Sequence, residues 1–313
     1  MTDSHQPVMV EEVLHYLAPR PGGVYVDGTV GAGGHAEAVL NLLGGRCTLI
    51  GVDRDPFALN LAAHSLAPWG SSVRLVQAAF DDLEWIVSGQ GAEAIDGMLL
   101  DLGMSSMQVD DAERGFSFHR DGPLDMRMDP ETPLTAAEVV NSYPADRLEK
   151  LIRTYGEDRY ARRIARAIVA ARAKSPLRTT GQLATVVADA YPAPARGGPH
   201  PARRTFQALR IEVNDELGRL ERVLRSAIDL LAPGGRIVVL SYHSLEDKLT
   251  KRIFAESSDP DAPLPGLGTS GEGVLQVLTR GAVLPSEAEV QRNPRASSAR
   301  LRAAARRTAG EVS

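Results

Sequence analysis

The order of apolar and polar positions divides the chain into two stretches of different type. In the first stretch, short runs rich in apolar residues predict strands at residues 24–27, 48–52, 73–77 and 95–100, the first of them with β-branched Val24 and Val26. Between these strands, apolar residues recur at the three- and four-residue spacing of helices, and another short helix is expected at residues 5–17. Strands that alternate with helices predict a doubly wound, parallel α/β sheet.

After the fourth strand the alternation stops, and only helical patterns follow until residue 231. The spacing predicts helices near 135–141, 145–154, 159–173 and 180–190, and one long helix from about 205 to 231. A Pro/Gly-rich break at 192–201 separates the last two of these helices.

The strand pattern returns behind an Ala-Pro-Gly-Gly sequence that ends the long helix. A fifth core strand is expected at residues 236–241, and 274–278 and 301–305 are a candidate final pair. We therefore expect two domains. Residues 1–108 and 201–313 form the α/β domain, and residues 109–200 form an inserted helical domain.

The loop after the first strand is the first candidate ligand site. It holds four glycines in seven residues, Gly28, Gly31, Gly33 and Gly34. Glycine allows a sharp turn and lets a ligand touch bare backbone. Asp27, at the strand end, would repel a pyrophosphate, whereas S-adenosylmethionine (SAM) carries a sulfonium and an ammonium and suits an acidic residue there. The glycine spacing also fits the dinucleotide-binding fingerprint, so a nicotinamide-dependent dehydrogenase is an alternative function. The simplest alternative is a structural glycine turn that binds no ligand.

Three further positions leave the predicted strands at the same edge. Asp53 follows the second strand about twenty residues beyond the glycine loop, where an acidic side chain reaches ribose hydroxyls. Phe80 follows the third strand and offers a face for an adenine, although a core role fits it equally well. Asp101 follows the fourth strand, and ligands of open α/β sheets bind at the carboxyl ends of strands.

Composition narrows the class of protein. Hydrophobic residues make up 43% and charged residues 24% of the 313 positions, which is typical of a globular protein. The single cysteine, Cys47, excludes an internal disulfide and a multi-cysteine metal site. No apolar run is long enough to span a membrane and no signal pattern is visible, so we expect a cytoplasmic protein without a membrane partner.

Charge is unevenly distributed along the chain, whose net charge is −5. Residues 147–210 contain 14 Lys and Arg against 4 Asp and Glu, and residues 291–307 contain six Arg and no acid. A basic module beside a small-molecule site indicates a polyanionic substrate such as nucleic acid. The simpler alternative is a solvated helix face, with Arg162, Arg163 and Arg166 pointing outward.

Eight sequence blocks resemble the bacterial 16S rRNA cytosine-N4 methyltransferases, the RsmH/MraW family, in the same order and over nearly the whole chain. The blocks are Asp27-Gly28-Thr29, Gly31-x-Gly33-Gly34-His35, Asp53-Arg54-Asp55, Leu99-Leu100-Asp101-Leu102-Gly103-x-Ser105-Ser106, Glu113-Arg114-Gly115-Phe116-Ser117-Phe118, Pro123-Leu124-Asp125-Met126-Arg127-Met128, Arg204-Thr205-Phe206-Gln207-Ala208 and Ser241-x-His243-Ser244-Leu245-Glu246-Asp247. The fifth and sixth blocks are far more specific than any glycine loop.

This resemblance implies a Rossmann-like class I SAM-dependent methyltransferase sheet with a helical insert that meets RNA. It implies these cofactor-binding residues: Gly33, Gly34, His35, Asp53, Phe80, Asp101 and Gln108. The implied substrate is 16S rRNA, within the small ribosomal subunit or a late precursor, near the decoding centre. Whether the chain forms a homodimer is open, and a non-catalytic, SAM-binding ribosome-assembly factor is the alternative from another class.

The catalytic residue is not predicted. Many enzymes that methylate exocyclic amines carry Asp/Asn/Ser-Pro-Pro-aromatic after the fourth strand, but this chain reads Asp101-Leu102-Gly103-Met104 there. Ser105, Ser106 and His243 are candidate proton acceptors or shuttles, for each of which a structural role is also expected.

Overall fold

A computed structural model describes residues 7–104, 111–192, 200–258 and 273–308. The chain forms two compact units, one of residues Met1–Gly103 with Leu217–Ser313 and the other of Met104–Glu216. The second unit therefore extends beyond the expected limit of residue 200. It does so because the helix Ala202–Asn214 places Phe206, Leu209 and Val213 in the hydrophobic core of the inserted unit.

The first unit contains a seven-stranded sheet with the order β3-β2-β1-β4-β5-β7-β6. The strands are β1 (Val24–Asp27), β2 (Thr48–Asp53), β3 (Val73–Gln77), β4 (Ile95–Asp101), β5 (Leu231–Ser241), β6 (Leu275–Val277) and β7 (Arg300–Arg306). The first five strands are parallel, and β7 pairs antiparallel with both β5 and β6. The predicted α/β class and all the predicted strands are confirmed.

Helices connect these strands and make up the second unit. They are α1 (Val10–Leu17), α2 (Gly34–Leu43), α3 (Pro56–Ser65), α4 (Leu83–Gly89), α5 (Ala136–Ser142), α6 (Ala145–Tyr155), α7 (Ala161–Arg172), α8 (Thr180–Ala190), α9 (Ala202–Asn214), α10 (Glu216–Leu230), α11 (Ser244–Ser258) and α12 (Glu287–Arg292). Short 3-10 turns lie at Ala67–Ser72, Phe80–Asp82, Ala112–Arg114 and Pro294–Ser298. No helix of the described ranges is long and apolar enough to cross a membrane.

Two sequence expectations are wrong in detail. The single helix expected from 205 to 231 is two helices, because Asp215 adopts the left-handed conformation (φ 48°) between α9 and α10. Asn and Asp tolerate this conformation better than most residues, so the Asn214-Asp215 pair is the signal for the break. Strand β5 starts at Leu231 rather than residue 236, since the Ala-Pro-Gly-Gly stretch forms a register shift against β4.

Apolar side chains cover both faces of the sheet, as expected for parallel strands. Val26, Ile50 and Leu100 pack with α10 and α11 on one face, while Leu49 and Leu99 join α1 and α2 on the other. With both faces buried, only the strand ends of this sheet are left to carry polar chemistry.

Candidate ligand site at the carboxyl edge of the sheet

The register of the strands brings three carboxylates to one edge. Asp27 ends β1 level with Gly51 of β2 and Leu99 of β4. Asp53 and Asp101 each lie two residues further along these neighbouring strands. Asp53 and Asp101 both raise the pKa of Asp27 electrostatically, as expected for three carboxylates that lie close together. The carboxyl edge is therefore strongly acidic.

The glycine loop is held to this edge by backbone hydrogen bonds. The amide of Gly31 donates to Asp53 Oδ2 (3.1 Å), and the amide of Gly28 donates to the Leu99 carbonyl (2.9 Å). Gly33 has a φ of +91°, and a Cβ there would lie 2.7 Å from Ser65 Oγ. Both the conformation and the close approach require glycine, so the loop exposes bare backbone where α2 begins at Gly34.

Asp53 and Asp55 have separate roles, as the sequence predicts. Asp55 caps α3 by accepting the amide of Phe57 (3.0 Å), with Pro56 at the first helical position. Asp53 accepts the amides of Gly31 and Asp55 through different carboxylate oxygens. Each oxygen can accept a second hydrogen bond, so Asp53 retains capacity for ligand hydroxyls.

Asp101 is positioned by two residues that sequence reasoning missed. The hydroxyl of Tyr242 donates to Asp101 Oδ1 (2.7 Å), and the amide of Asp101 donates to Thr29 Oγ1 (2.7 Å). Burial and the neighbouring carboxylate raise the pKa of Tyr242, so this hydroxyl remains a donor. Thr29 ends the first of the sequence blocks quoted above and Tyr242 is the unspecified position of the last one, which was the available signal for both residues.

The buried side chain of His35 lies next to the Asp101 carboxylate. Its ring is 6% exposed, with Nε2 2.8 Å from the Val8 carbonyl and Nδ1 3.6 Å from Asp101 Oδ2. A carbonyl only accepts, so Nε2 carries a proton and Nδ1 faces Asp101. As the second residue of α2, His35 thus connects the start of that helix with the end of β4.

Burial makes these carboxylates costly to ionise. Desolvation raises the pKa of Asp27 to about 6, opposed in part by His35 and by the amide of Thr29. Desolvation also raises the pKa of Asp53. Within the described part of the chain, no Lys or Arg lies within ion-pairing distance of Asp27 or Asp53. This edge therefore suits a cationic ligand and disfavours a pyrophosphate.

Of the remaining candidate site residues, the structure describes Phe80 and His243 only. Phe80 is half-buried, and its Cβ lies 3.4 Å from the point that a Cβ on Gly28 would occupy, so it borders the glycine loop. His243 is largely buried, with Nε2 3.1 Å from Glu246 Oε1. Gln108, Ser105 and Ser106 lie outside the described residues.

Three arginines of the basic segment 291–307 bind other groups of the folded protein. Arg302 pairs with Asp247 (Nε to Oδ1, 2.6 Å), and Arg306 donates to the carbonyls of Asp229 and Leu231. Arg307 donates to the Gly273 carbonyl (3.1 Å). These three arginines therefore stabilise the fold through their own contacts within the protein.

Comparisons with known proteins agree with this geometry. The profile of the MraW methylase family matches residues 2–307. The chain is 56% identical over 306 residues to a protein of Acidothermus cellulolyticus named ribosomal RNA small subunit methyltransferase H, covering 96% of this chain and 93% of that protein. Proteins of the same name from Thermobifida fusca and Heliobacterium modesticaldum are 54% and 49% identical, each across 97% of this chain and 93% and 99% of their own lengths.

Proposed function

The chain belongs to the MraW methylase family, and from that membership we propose a methyl transfer from SAM to the N4 amino group of a cytosine in 16S rRNA. The proposed substrate is the small ribosomal subunit or a late precursor, methylated at the decoding centre. The observation that carries the proposal is similarity over nearly the whole chain to relatives named as small-subunit rRNA methyltransferases.

The residues at the carboxyl edge fit SAM, which is the cofactor of this class of enzyme. We assign the ribose hydroxyls to Asp53, the adenine face to Phe80, and the amino-acid portion to the backbone of Gly33 and Gly34. His35, Asp101 and Gln108 complete the proposed set. The acidic edge without paired Lys or Arg at Asp27 and Asp53 supports a cofactor that carries positive charge rather than a dinucleotide.

Methyl transfer from SAM depends more on positioning the acceptor atom than on activating the methyl donor. SAM supplies an electrophilic methyl group and a good leaving group, so the protein must align the acceptor in line with it. A cytosine amino nitrogen is a weak nucleophile because its lone pair is delocalised into the ring. The protein should therefore present acceptors to its N–H bonds and bind the base outside its stack. The carboxylate of Asp101, oriented by the Tyr242 hydroxyl, is a candidate for such an acceptor at this edge.

The position of Cys47 supports methylation at nitrogen or oxygen rather than at ring carbon 5. Carbon 5 becomes nucleophilic only after a thiolate adds to carbon 6. Cys47 precedes β2, whereas Asp53 ends it, which separates them by about 20 Å at about 3.3 Å per residue. Burial also raises the pKa of the Cys47 thiol, which disfavours the thiolate. Cys47 packs at the edge of the hydrophobic core and is far from the site.

We expect the Cys47→Ala enzyme to retain methyl transfer, because no covalent adduct is needed. Small subunits from a strain lacking the modification would be incubated with labelled SAM, and the digested RNA examined by mass spectrometry for N4-methylcytidine. Loss of activity in a folded variant, or a trapped adduct with 5-fluorocytosine RNA, would contradict the nitrogen assignment. SAM and RNA binding without any transfer would instead identify a non-catalytic assembly factor.

RNA binding by the wild-type protein should weaken steeply with salt, because a basic insert draws affinity from phosphate contacts. The check is a titration of labelled 16S rRNA at several potassium chloride concentrations, with SAM binding as the control. Salt-insensitive RNA affinity would rule out a dominant role for the basic insert.

A further inference from the structure

An open cleft of about 480 Å³ lies on the inserted unit and is lined by Arg159, Tyr160, Arg162, Arg163 and Arg166. The four arginines are exposed and follow the spacing i, i+3, i+4, i+7, which places them on one side of the chain at the start of α7. The opposite side of this helix carries Ile164 and Ile168 into the core. The cleft is thus a basic surface on a helix that is anchored in the hydrophobic core.

Most other arginines of the insert have structural partners. Arg147 pairs with Glu212 (3.1 Å), Arg153 with Glu149 (2.7 Å) and Arg210 with Glu216 (2.7 Å). Arg172 donates to the carbonyls of Val140 and Tyr143, and Arg204 to that of Glu157. Each of these side chains therefore has a role in the folded unit that does not involve a ligand.

The cleft arginines differ from this group. Across the described ranges, none of the four has an ion pair with a carboxylate. The neighbouring acid Asp158 is buried, and its oxygens accept from the Tyr191 hydroxyl and the Tyr160 amide. The positive charge around the cleft is therefore not neutralised from within by a described acid.

This arrangement is electrostatically unfavourable for the isolated protein. Like charges at the i+3 and i+4 spacing destabilise a helix, and α7 contains one pair of each kind, Arg163 with Arg166 and Arg162 with Arg166. Arg162 and Arg163 also lie in the first turn of α7, which has no acidic residue, where the helix dipole disfavours cations. A bound anion would relieve both effects, and a local conflict of this kind is typical of functional sites.

We propose that this cleft binds consecutive backbone phosphates of the RNA substrate. Arginine suits this role because its planar guanidinium forms paired hydrogen bonds with phosphate oxygens. Arg159 already stacks on the Tyr160 ring, with Cζ 4.8 Å from the ring centroid, which restrains its guanidinium. Phosphate contacts fix register without reading sequence, so the cleft would hold the RNA strand while other residues select the cytosine.

The inference rests on the proposed function, and the test separates the two. The variant is Arg162→Glu/Arg163→Glu. The control, Lys174→Glu/Arg178→Glu, makes the same change of charge at exposed positions beyond the end of the same helix. Fluorescence anisotropy would measure binding of labelled 16S rRNA at several salt concentrations, and calorimetry would measure SAM binding. The milder variant Arg162→Gln/Arg163→Gln guards against misfolding.

We expect the cleft variant to bind RNA at least about tenfold more weakly, with a salt slope shallower by about 1.5 to 2, since each phosphate contact contributes nearly one unit. SAM affinity should be unchanged in every variant, and the control should stay within about twofold of wild type. Unchanged RNA affinity and slope in a folded cleft variant, or an equal loss in the control, would overturn the cleft assignment. Failure of the wild-type protein to methylate small subunits would overturn the proposed function instead.

Discussion

Replacing Asp53 by alanine is expected to weaken SAM binding by roughly 1.5–3 kcal/mol, about 10- to 150-fold, the range for hydrogen bonds to a charged group. Asp53 ends β2 at the carboxyl edge of the sheet. Its two carboxylate oxygens accept the amides of Gly31 and Asp55, and each oxygen can accept one more hydrogen bond, from a ribose hydroxyl. Isothermal titration calorimetry on the folded variant measures the change directly.

Because Asp53 also fixes the glycine loop, weaker binding alone would not prove contact with ribose. The control is a cofactor analogue that lacks both ribose hydroxyls, measured with wild type and variant. If Asp53 binds those hydroxyls, wild type should discriminate between the two cofactors and Asp53→Ala should not. Equal discrimination by both proteins would assign Asp53 to the loop alone.

Replacing Asp27 by asparagine is expected to stabilise the protein at neutral pH by up to about 3 kcal/mol. The pKa of Asp27 is raised to about 6 by burial, and each pKa unit above the ordinary value corresponds to about 1.4 kcal/mol. Below about pH 4 the carboxyl is protonated in both folded and unfolded chains, so it costs nothing. Between about pH 4 and 6 the unfolded chain ionises this carboxyl while burial keeps it protonated in the folded chain, so the folded state loses stability over that range, and the loss is complete above 6. Asparagine avoids that cost and keeps the acceptor for the Thr29 amide.

Urea unfolding of both proteins between pH 4 and 8 tests this, with Glu93→Gln as the exposed control. The difference in unfolding free energy should grow with pH and level off above 6. A constant or reversed difference would mean that His35 and the Thr29 amide fully offset the cost of the Asp27 charge in the folded state.

We also expect the SAM affinity of the wild-type protein to fall as the pH drops through 6. Protonation of Asp27 removes a negative charge from the carboxyl edge, and the cationic cofactor then binds more weakly.

Sequence predicts the parallel strands well because buried strands carry short, largely apolar runs, as in residues 48–52. It also separates Asp55 as a cap from Asp53 as a ligand candidate, since each role has a fixed position relative to its element. The break at Asp215 was missed, because one residue in the left-handed region hardly disturbs the apolar spacing on either side.

The contacts between distant segments could not be predicted from local pattern. Tyr242 meets Asp101 across 141 positions of sequence, and only the pairing of β4 with β5 brings them together. For the basic insert, composition gives the total charge but not the partners of each residue. The ion pairs of Arg147, Arg153 and Arg210 separate these residues from Arg162 and Arg163, which pair with no carboxylate among the residues that the structure describes.

The position of β7 inside the sheet has a consequence for biosynthesis. Strand β7 is the last strand in the described part of the sequence, yet it pairs with β5 on one side and β6 on the other. Until Arg306 has left the ribosome, β7 is incomplete, and one edge of β5 therefore has no partner strand. Strand β5 is long and mostly buried in the finished fold. Such an edge is a template for intermolecular pairing, so ribosome-stalled chains that end before residue 300 should be prone to aggregation or bind chaperones until synthesis is complete.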